Sequence, residues 1–198
     1  MYIVGFNGPP ESGKDTLAEL LATHMDKQGV TLPVRFESLS IPLRKLAYTM
    51  VGITTEIPAI LDGDFYSEFK SRHFPSLNRT GRQLMIDVSE RFLKPTYGLE
   101  VMAQLLLERN EGFPGILLVR DLGFQCEVDP LVRAVGEDNL AIVSVCRAGK
   151  TFEGDSREWV DTRPDRVTRI HNNGTIDDLR TEAGRIYGRL VNQYGWKL

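Results

Sequence analysis

The sequence predicts an α/β domain built on a parallel, doubly wound sheet. Three observations carry that expectation: short β-rich runs alternate with helical patterns, a glycine-rich loop separates the first run from the first helix, and 198 residues suffice to bury one sizeable core. The β-rich runs fall at residues 2–6, 34–39, 116–119 and 141–145, with a weaker one at 167–170. Parallel strands buried on both faces read as continuous apolar runs, and Gly115-Ile-Leu-Leu-Val119 reads that way.

The helices follow in order. Leu17, Leu20, Leu21, His24 and Met25 recur at helical spacing on one face, and Gly29 stops that helix. Helical patterns also fit residues 42–50, 81–93 and 99–108, while Asp129-Pro130 forms the cap and first position of a short helix ending at Gly136. Leu179, Ala183, Ile186, Tyr187, Leu190 and Val191 give a last helix behind Thr175, an N-cap with Asp178 three residues on. Residues 54–79 and 147–166 break the rhythm: both are long, polar, charged and dotted with Gly and Pro. Loops of that length in a compact domain are usually functional or disordered.

Composition excludes several classes. Hydrophobic residues make up 41% and charged residues 26%, ordinary for a folded chain. The formal charge of −3 supplies no basic field for a nucleic acid backbone. Of 24 cationic residues 17 are Arg, whose planar fork suits phosphate, although the bias can equally be compositional. Cys126 and Cys146 are too few for a disulfide framework and fit a reducing compartment. No apolar run approaches the ~18 residues of a membrane span, and the start lacks the pattern of a signal peptide, so a cytoplasmic location is expected. His24, His73 and His171 share no metal-ligand spacing.

Directly after the first strand stands Gly8-Pro-Pro-Glu-Ser-Gly13-Lys14-Asp15-Thr16, and the first helix follows at once. The G-x-x-x-x-G-K spacing, placed between a strand and a helix, is that of a phosphate loop: backbone N–H groups surround phosphate oxygens and the Lys reaches the β and γ phosphates. Position 15 holds Asp where Ser or Thr usually serves Mg²⁺. Its carboxylate either meets Mg²⁺, directly or through water, or turns away as a first-turn helix acid. Asp121 ends a buried strand, where an acid is about as often a helix N-cap as a metal ligand, and the phosphate loop favours the ligand. Arg72, Arg79 and Arg82 gather by the first long loop, and Arg147, Lys150, Arg157, Arg163 and Arg166 crowd the second. Any one of them is by default a solvated surface charge, yet phosphoryl transfer needs cations around the moving group. Asp62 and Asp64 flank Gly63, which a simple turn explains.

Taken with their order, these segments resemble the bacteriophage-type deoxynucleoside monophosphate kinases of the P-loop nucleoside monophosphate kinase superfamily. Gly13-Lys-Asp-Thr16 is similar to that family's phosphate loop, in which Asp after the Lys is usual. Ser38-Leu-Ser-Ile-Pro-Leu-Arg44 resembles its segment after the second strand, with Ile41 where an acid is common. Thr80-Gly-Arg82 resembles its substrate-binding Arg motif, with Ile86 and Ser89 in place of the expected Gln and Gly. Leu118-Val-Arg-Asp-Leu-Gly-Phe-Gln-Cys-Glu127 is similar to its D-x-R-F segment in Asp121, Phe124 and Glu127. Position 123 is Gly instead of Arg, with Arg120 as a candidate replacement. Asn172-Asn-Gly-Thr-Ile-Asp-Asp-Leu179 resembles the segment that holds the nucleotide base.

The resemblance implies one P-loop kinase domain over residues 1–198. Its five-stranded parallel sheet is flanked by helices, with a substrate-binding insertion at 54–91 and a lid at 147–166. It implies transfer of the γ-phosphoryl group of ATP to a deoxynucleoside monophosphate, with Mg²⁺. Lys14, Arg82, Asp121 and Arg147 would be catalytic. Gly8, Glu11, Ser12, Gly13, Lys14, Asp15, Thr16, Asn173, Gly174 and Thr175 would bind ATP. Arg44, Arg72, Arg79, Arg82 and Glu127 would bind the acceptor, Lys150 and Arg157 would belong to the lid, and Asp15 and Asp121 would serve the metal. Neither nucleic acid nor membrane is an expected partner, and a homodimer is left open. A kinase of another small metabolite, such as dephospho-coenzyme A, and a GTPase-like nucleotide switch are the alternatives, although no N-K-x-D guanine motif occurs.

Overall fold

Strand β1 (Tyr2–Asn7) lies at the centre of one parallel sheet with β2 (Val34–Glu37), β5 (Ile116–Val119), β6 (Leu140–Cys146) and β7 (Val167–His171), in the order β2-β5-β1-β6-β7. The computed structural model describes residues 1–54, 63–160 and 167–198, and in it the chain divides into two compact units. The sheet belongs to the first, formed by Met1–Ser38 with Leu106–Leu198. Ile3 pairs with Leu117 on one side and Leu140 on the other, and every pairing in the sheet is parallel. This is the α/β architecture the sequence predicts, five parallel strands flanked by helices.

The strand order explains where a site can form. From β1 the chain builds β2 and β5 on one side, then β6 and β7 on the other, so the carboxyl end of β1 faces the crevice where the connections change direction. Helix α1 (Lys14–Lys27) begins there, and with α8 (Ile176–Asn192) it covers one face of the sheet. Val4, Phe6, Leu118, Val143 and Val145 share a buried cluster with Leu17, Leu21, Met25, Ala183, Ile186 and Leu190. Truncating a fully buried leucine such as Leu21 to Ala in such a cluster typically costs about 2–5 kcal/mol. Trp196 closes its edge, stacked on Tyr2 with ring centroids 4.5 Å apart and donating Nε1–H to the Asp138 carbonyl at 2.7 Å.

The second unit, Leu39–Leu105, is mainly helical. Helices α2 (Ile41–Met50), α3 (Gly63–Ser71) and α4 (Gly81–Asp87) enclose Ala47, Tyr48, Phe69, Leu84 and Met85, with the Tyr48 and Phe69 rings edge to face at 4.4 Å. Strands β3 (His73–Phe74) and β4 (Arg79–Thr80) form a small antiparallel pair.

Several expectations are corrected here. Residues 55–62, with Asp62, lie outside the described residues; the rest of the expected 54–79 loop holds a helix and a hairpin. Short polar helices and two-residue strands carry too little periodicity to stand out in sequence. The expected helix over 81–93 is broken: α4 passes into a π-helical turn at Val88–Leu93, followed by α5 (Lys94–Tyr97). Pro95 brings no N–H and its ring needs room on the preceding turn, which the wider turn provides. Asp129 is not the N-cap of its helix, because α7 (Val128–Val135) starts one residue earlier behind a 3₁₀ turn at Gln125–Glu127. Strand β2 ends two residues short of Leu39, and β5 ends at Val119, so Asp121 stands two residues beyond its strand. Helix α6 (Val101–Arg109) begins two residues later than expected.

Candidate active site

The loop from Gly8 to Gly13 curls so that backbone, not side chains, meets the start of α1. A Cβ on Gly8 would lie 2.5 Å from the Val145 carbonyl oxygen, so the close approach requires glycine. Gly13, the N-cap of α1, has φ 92°, a left-handed conformation that glycine adopts without strain. Asn172 braces the turn by donating Nδ2–H to the Ser12 carbonyl at 2.8 Å. The N-termini of α4 and α8 are closed by capping boxes, Thr80 with Gln83 and Thr175 with Asp178. No side chain caps α1. Its first-turn N–H groups carry the positive end of the helix dipole, and the Ser12 hydroxyl beside them is buried with no hydrogen-bond partner among the described residues. An orphaned buried hydroxyl and an uncapped helix start are what a phosphate oxygen would satisfy, so the loop fits a polyphosphate.

Lys14 is the centre of charge. Its side chain is buried, with the ammonium 3.4 Å from the Pro9 carbonyl. Burial lowers its pKa from the ordinary 10.5; Asp15, Asp121 and Asp155 oppose that shift, whereas Arg157 adds to it. The ammonium therefore senses three carboxylates and one guanidinium. Asp15 and Thr16 are exposed in the first turn of α1. Asp121 accepts a hydrogen bond from the Ser38 hydroxyl at 2.6 Å. Among the described residues no three His, Cys, Asp or Glu side chains gather into a metal-holding group. Mg²⁺ beside a nucleotide commonly takes only one or two carboxylates, the rest being phosphate oxygens and water, so Asp15 and Asp121 fit that requirement.

The segment after β6 returns to the phosphate loop. Arg147 donates Nη1–H to the Glu11 carbonyl at 3.2 Å, and Lys150 forms an ion pair with the Glu11 carboxylate. That bond holds the Glu11 carboxyl below its usual range. The Ala148 N–H donates to Asn173 Oδ1 at 2.7 Å, whereas Gly174 and Thr175 are exposed and Thr175 is engaged in capping α8. Asp155 takes the guanidinium of Arg157 bidentately, at 3.0 and 2.7 Å. Arg163 and Arg166 lie outside the described residues.

One acid and one cation of the D-x-R-F-like segment have partners within the protein. Glu127 is buried, and its carboxylate accepts the N–H groups of Gly123 and Phe124 at 2.9 and 3.0 Å, shaping the loop that carries Asp121. Arg120, the candidate replacement for the Arg missing at position 123, stands one residue beyond β5 and places its guanidinium over the Phe36 ring with Glu19 3.8 Å away.

Within the second unit, Arg44 is buried, donates Nε–H to the Ser40 hydroxyl at 3.1 Å and lies 3.6 Å from the centroid of the Tyr66 ring. Arg79 forms an ion pair with Asp87 at 2.9 Å, Arg72 sits over the Phe74 ring, and Arg82 is exposed in the first turn of α4. Asp64 is exposed at the start of α3. Sequence reasoning passes over Asp155, Asn7 and the Ser38–Asp121 pair. Asp155 has only the weak signal of an acid two residues before an arginine.

Among the described residues no helix is long and apolar enough to cross a membrane. No family model matches the chain, and no curated protein matches it in sequence. Solved structures are similar over most of its length. An APS kinase of Mycobacterium tuberculosis, solved with AMPPNP and APS, is similar at 16% identity and a TM-score of 0.46, over 94% of this chain and 97% of that one. A gluconokinase of Sinorhizobium meliloti is similar at 13% identity and 0.46, over 97% and 96%. A thymidylate kinase of Candida albicans is similar at 12% identity and 0.45, over 98% and 92%.

Proposed function

We propose that the chain is an ATP-dependent kinase of deoxynucleoside monophosphates, organised as one kinase domain with an acceptor-binding insertion at residues 54–91 and a lid at 147–166. The observation that carries the reading is the uncapped start of α1, where the partnerless Ser12 hydroxyl and the buried Lys14 ammonium converge on one phosphate-sized task. The resemblance in Gly13-Lys-Asp-Thr16, Thr80-Gly-Arg82 and Asn172–Leu179 supports the acceptor class.

The reaction needs no protein nucleophile. An oxygen of the acceptor phosphate forms a bond to the γ-phosphorus of ATP as the bond to the β,γ-bridging oxygen breaks, and ADP leaves. Catalysis is then alignment and neutralisation of charge spread over the equatorial oxygens. In this reading the loop N–H groups and Lys14 hold the β and γ oxygens, Arg82 grips the acceptor phosphate, and Arg147, Lys150 and Arg157 close over the transfer and exclude water. Asp15 and Asp121 would hold Mg²⁺, which when bound supplies further positive charge at the phosphates. Asp15→Asn is accordingly expected to raise the Mg²⁺ concentration needed for half-maximal rate by about tenfold. A Mg²⁺ titration identical to that of the unaltered chain would return Asp15 to the role of a first-turn helix acid.

The test of the whole reading is a coupled ADP-release screen with ATP, Mg²⁺ and each ribo- and deoxyribonucleoside monophosphate. The expected result is release dependent on a deoxynucleoside monophosphate and stoichiometric with its diphosphate. Release that responds only to another phosphorylated metabolite would move the chain to a different acceptor, and hydrolysis without any acceptor would make it a nucleotide switch.

A further inference from the structure

Asp121 is placed by the two strands that flank β5. On the β1 side Gly5 pairs with Val119, and the same register carried on brings Asp121 level with Asn7, the residue before Gly8. Asn7 donates Nδ2–H to the Leu122 carbonyl at 2.9 Å, and a Cβ on Gly5 would lie 2.8 Å from Leu122 Cδ2, so the loop after β5 packs directly on β1. On the β2 side Glu37 pairs with Val119, and the Arg120 N–H extends the ladder to the Glu37 carbonyl at 3.1 Å. Ser38 comes next, and its hydroxyl donates to Asp121 Oδ2 at 2.6 Å. That length is typical of a hydroxyl bonded to an ionised carboxylate, which is stronger than a neutral pair.

Ser38 is itself held in place. It is 1% exposed, and its carbonyl accepts Arg109 Nη2–H at 3.1 Å; the same nitrogen donates to Glu37 Oε2 at 3.1 Å. Glu37 Oε1 accepts Asn110 Nδ2–H at 3.0 Å, and Asn110 Oδ1 accepts Arg35 Nη1–H at 2.8 Å. Glu37 and Asn110 are buried, and every member of the chain belongs to the first unit. Serine hydroxyls commonly settle on backbone groups a few residues away, whereas this one crosses 83 positions to a side chain. Asp121 at the far end is half-buried, so a buried, anchored donor meets an acid that a ligand can still reach.

We propose that Ser38 is a positioning residue of the metal site: its hydroxyl sets the rotation of the Asp121 carboxylate, and the Glu37–Arg109 pair holds Ser38 for that task. The inference rests on the reading of Asp121 as an acid for Mg²⁺ and deepens it. Carboxylates that bind a metal are commonly hydrogen-bonded in turn, and loss of such a partner weakens metal binding by about 10–100-fold. The physical reason is order. A carboxylate already fixed in rotation has little freedom left to lose when the ion arrives with the nucleotide.

The test is ATP affinity measured by calorimetry on the full chain, once with Mg²⁺ in excess and once with a chelator in its place. The ratio of the two affinities is the metal's contribution. Ser38→Ala is expected to reduce that ratio by about tenfold, with the metal-free affinity nearly constant. Ser38→Cys keeps the volume with a much weaker donor and is expected to lose nearly as much; it also carries the comparison should Ser38→Ala fail to fold. In an Asp121→Asn chain, whose ratio falls on its own, adding Ser38→Ala should cost nothing further. A merely structural serine would shift both affinities together, or lower the unfolding temperature with the ratio unchanged. Either result overturns the proposal, as does a Ser38→Cys chain with the full ratio or a loss that adds in the double variant. If Asp121→Asn keeps the ratio of the unaltered chain, the metal reading of Asp121 fails first, and the role of Ser38 falls with it.

Discussion

Lys14→Met is expected to cut phosphoryl transfer by about 10²–10³-fold or more while the ligand-free chain stays folded and is no less stable than before. The first half follows from the proposed reading, in which Lys14 is the cation that neutralises the transferring group. The second follows from burial, which depresses the Lys14 pKa. With the folded value below the unfolded one, the protonated side chain weighs against the fold at every pH below the folded value, and that penalty fades as pH rises through the unfolded value. Methionine fills the same space without a charge, so the penalty goes. Thermal unfolding with and without ATP checks both halves. The unaltered chain should gain stability with ATP by mass action, and the variant should gain little from the same concentration. A variant with most of its turnover, or with an undiminished shift, would take the Gly8–Lys14 loop away from phosphate.

Arg82→Lys is expected to weaken use of the monophosphate acceptor by about 10- to 100-fold with ATP affinity nearly constant. Arg82 stands in the first turn of α4, and its backbone is held from two sides. Thr80 and Gln83 close a capping box, the Thr80 N–H donating to Gln83 Oε1 at 2.8 Å, and Gly81 approaches Phe69 so closely that a Cβ would lie 2.1 Å from its carbonyl oxygen. A guanidinium projecting from so fixed a backbone orients a phosphate as well as neutralising it, and lysine supplies charge without the fork. Separate titrations of donor and acceptor distinguish the outcomes. If ATP binding falls and monophosphate kinetics survive, Arg82 acts on the donor, and the acceptor phosphate belongs to another cation such as buried Arg44.

The two variants address the parts of the site that differ most in how they were written into the chain. The Gly8–Thr16 segment, six loop residues and the first three of α1, follows β1 directly, so its motif and its position at the sheet edge are both local signals. Thr175 with Asp178 is another: an N-cap and its partner three residues on suffice to start α8. Arg82 stands out through the resemblance of Thr80-Gly-Arg82 to a substrate-binding motif, whereas the Thr80–Gln83 capping box that fixes its backbone emerges only in the structure. By contrast, the break in the helix beyond Asp87 depended on how Pro95 is accommodated, and the helix and hairpin within residues 63–80 are too short for periodicity to announce them.

The sequence by itself determined the alternation of strands and helices, the glycine-rich loop between β1 and α1, the ends of α1 and the start of α8, because each is specified by residues within a turn or two of one another. Tertiary structure alone decided which charges surround Lys14. Ser38 reaches Asp121 across 83 positions, Asn172 reaches the Ser12 carbonyl across 160, and Asn7 joins Leu122 to Glu158 and Val160. Contacts of that separation exist only once the parallel sheet has set β5 and β6 on either side of β1, and no local spacing encodes them. For the same reason Arg120, one residue beyond β5, lies over the Phe36 ring of the neighbouring β2, while Arg157, 36 residues beyond Asp121 in the numbering, is brought onto Gly123. Distant segments converge by the order of the sheet, which no spacing along the chain announces.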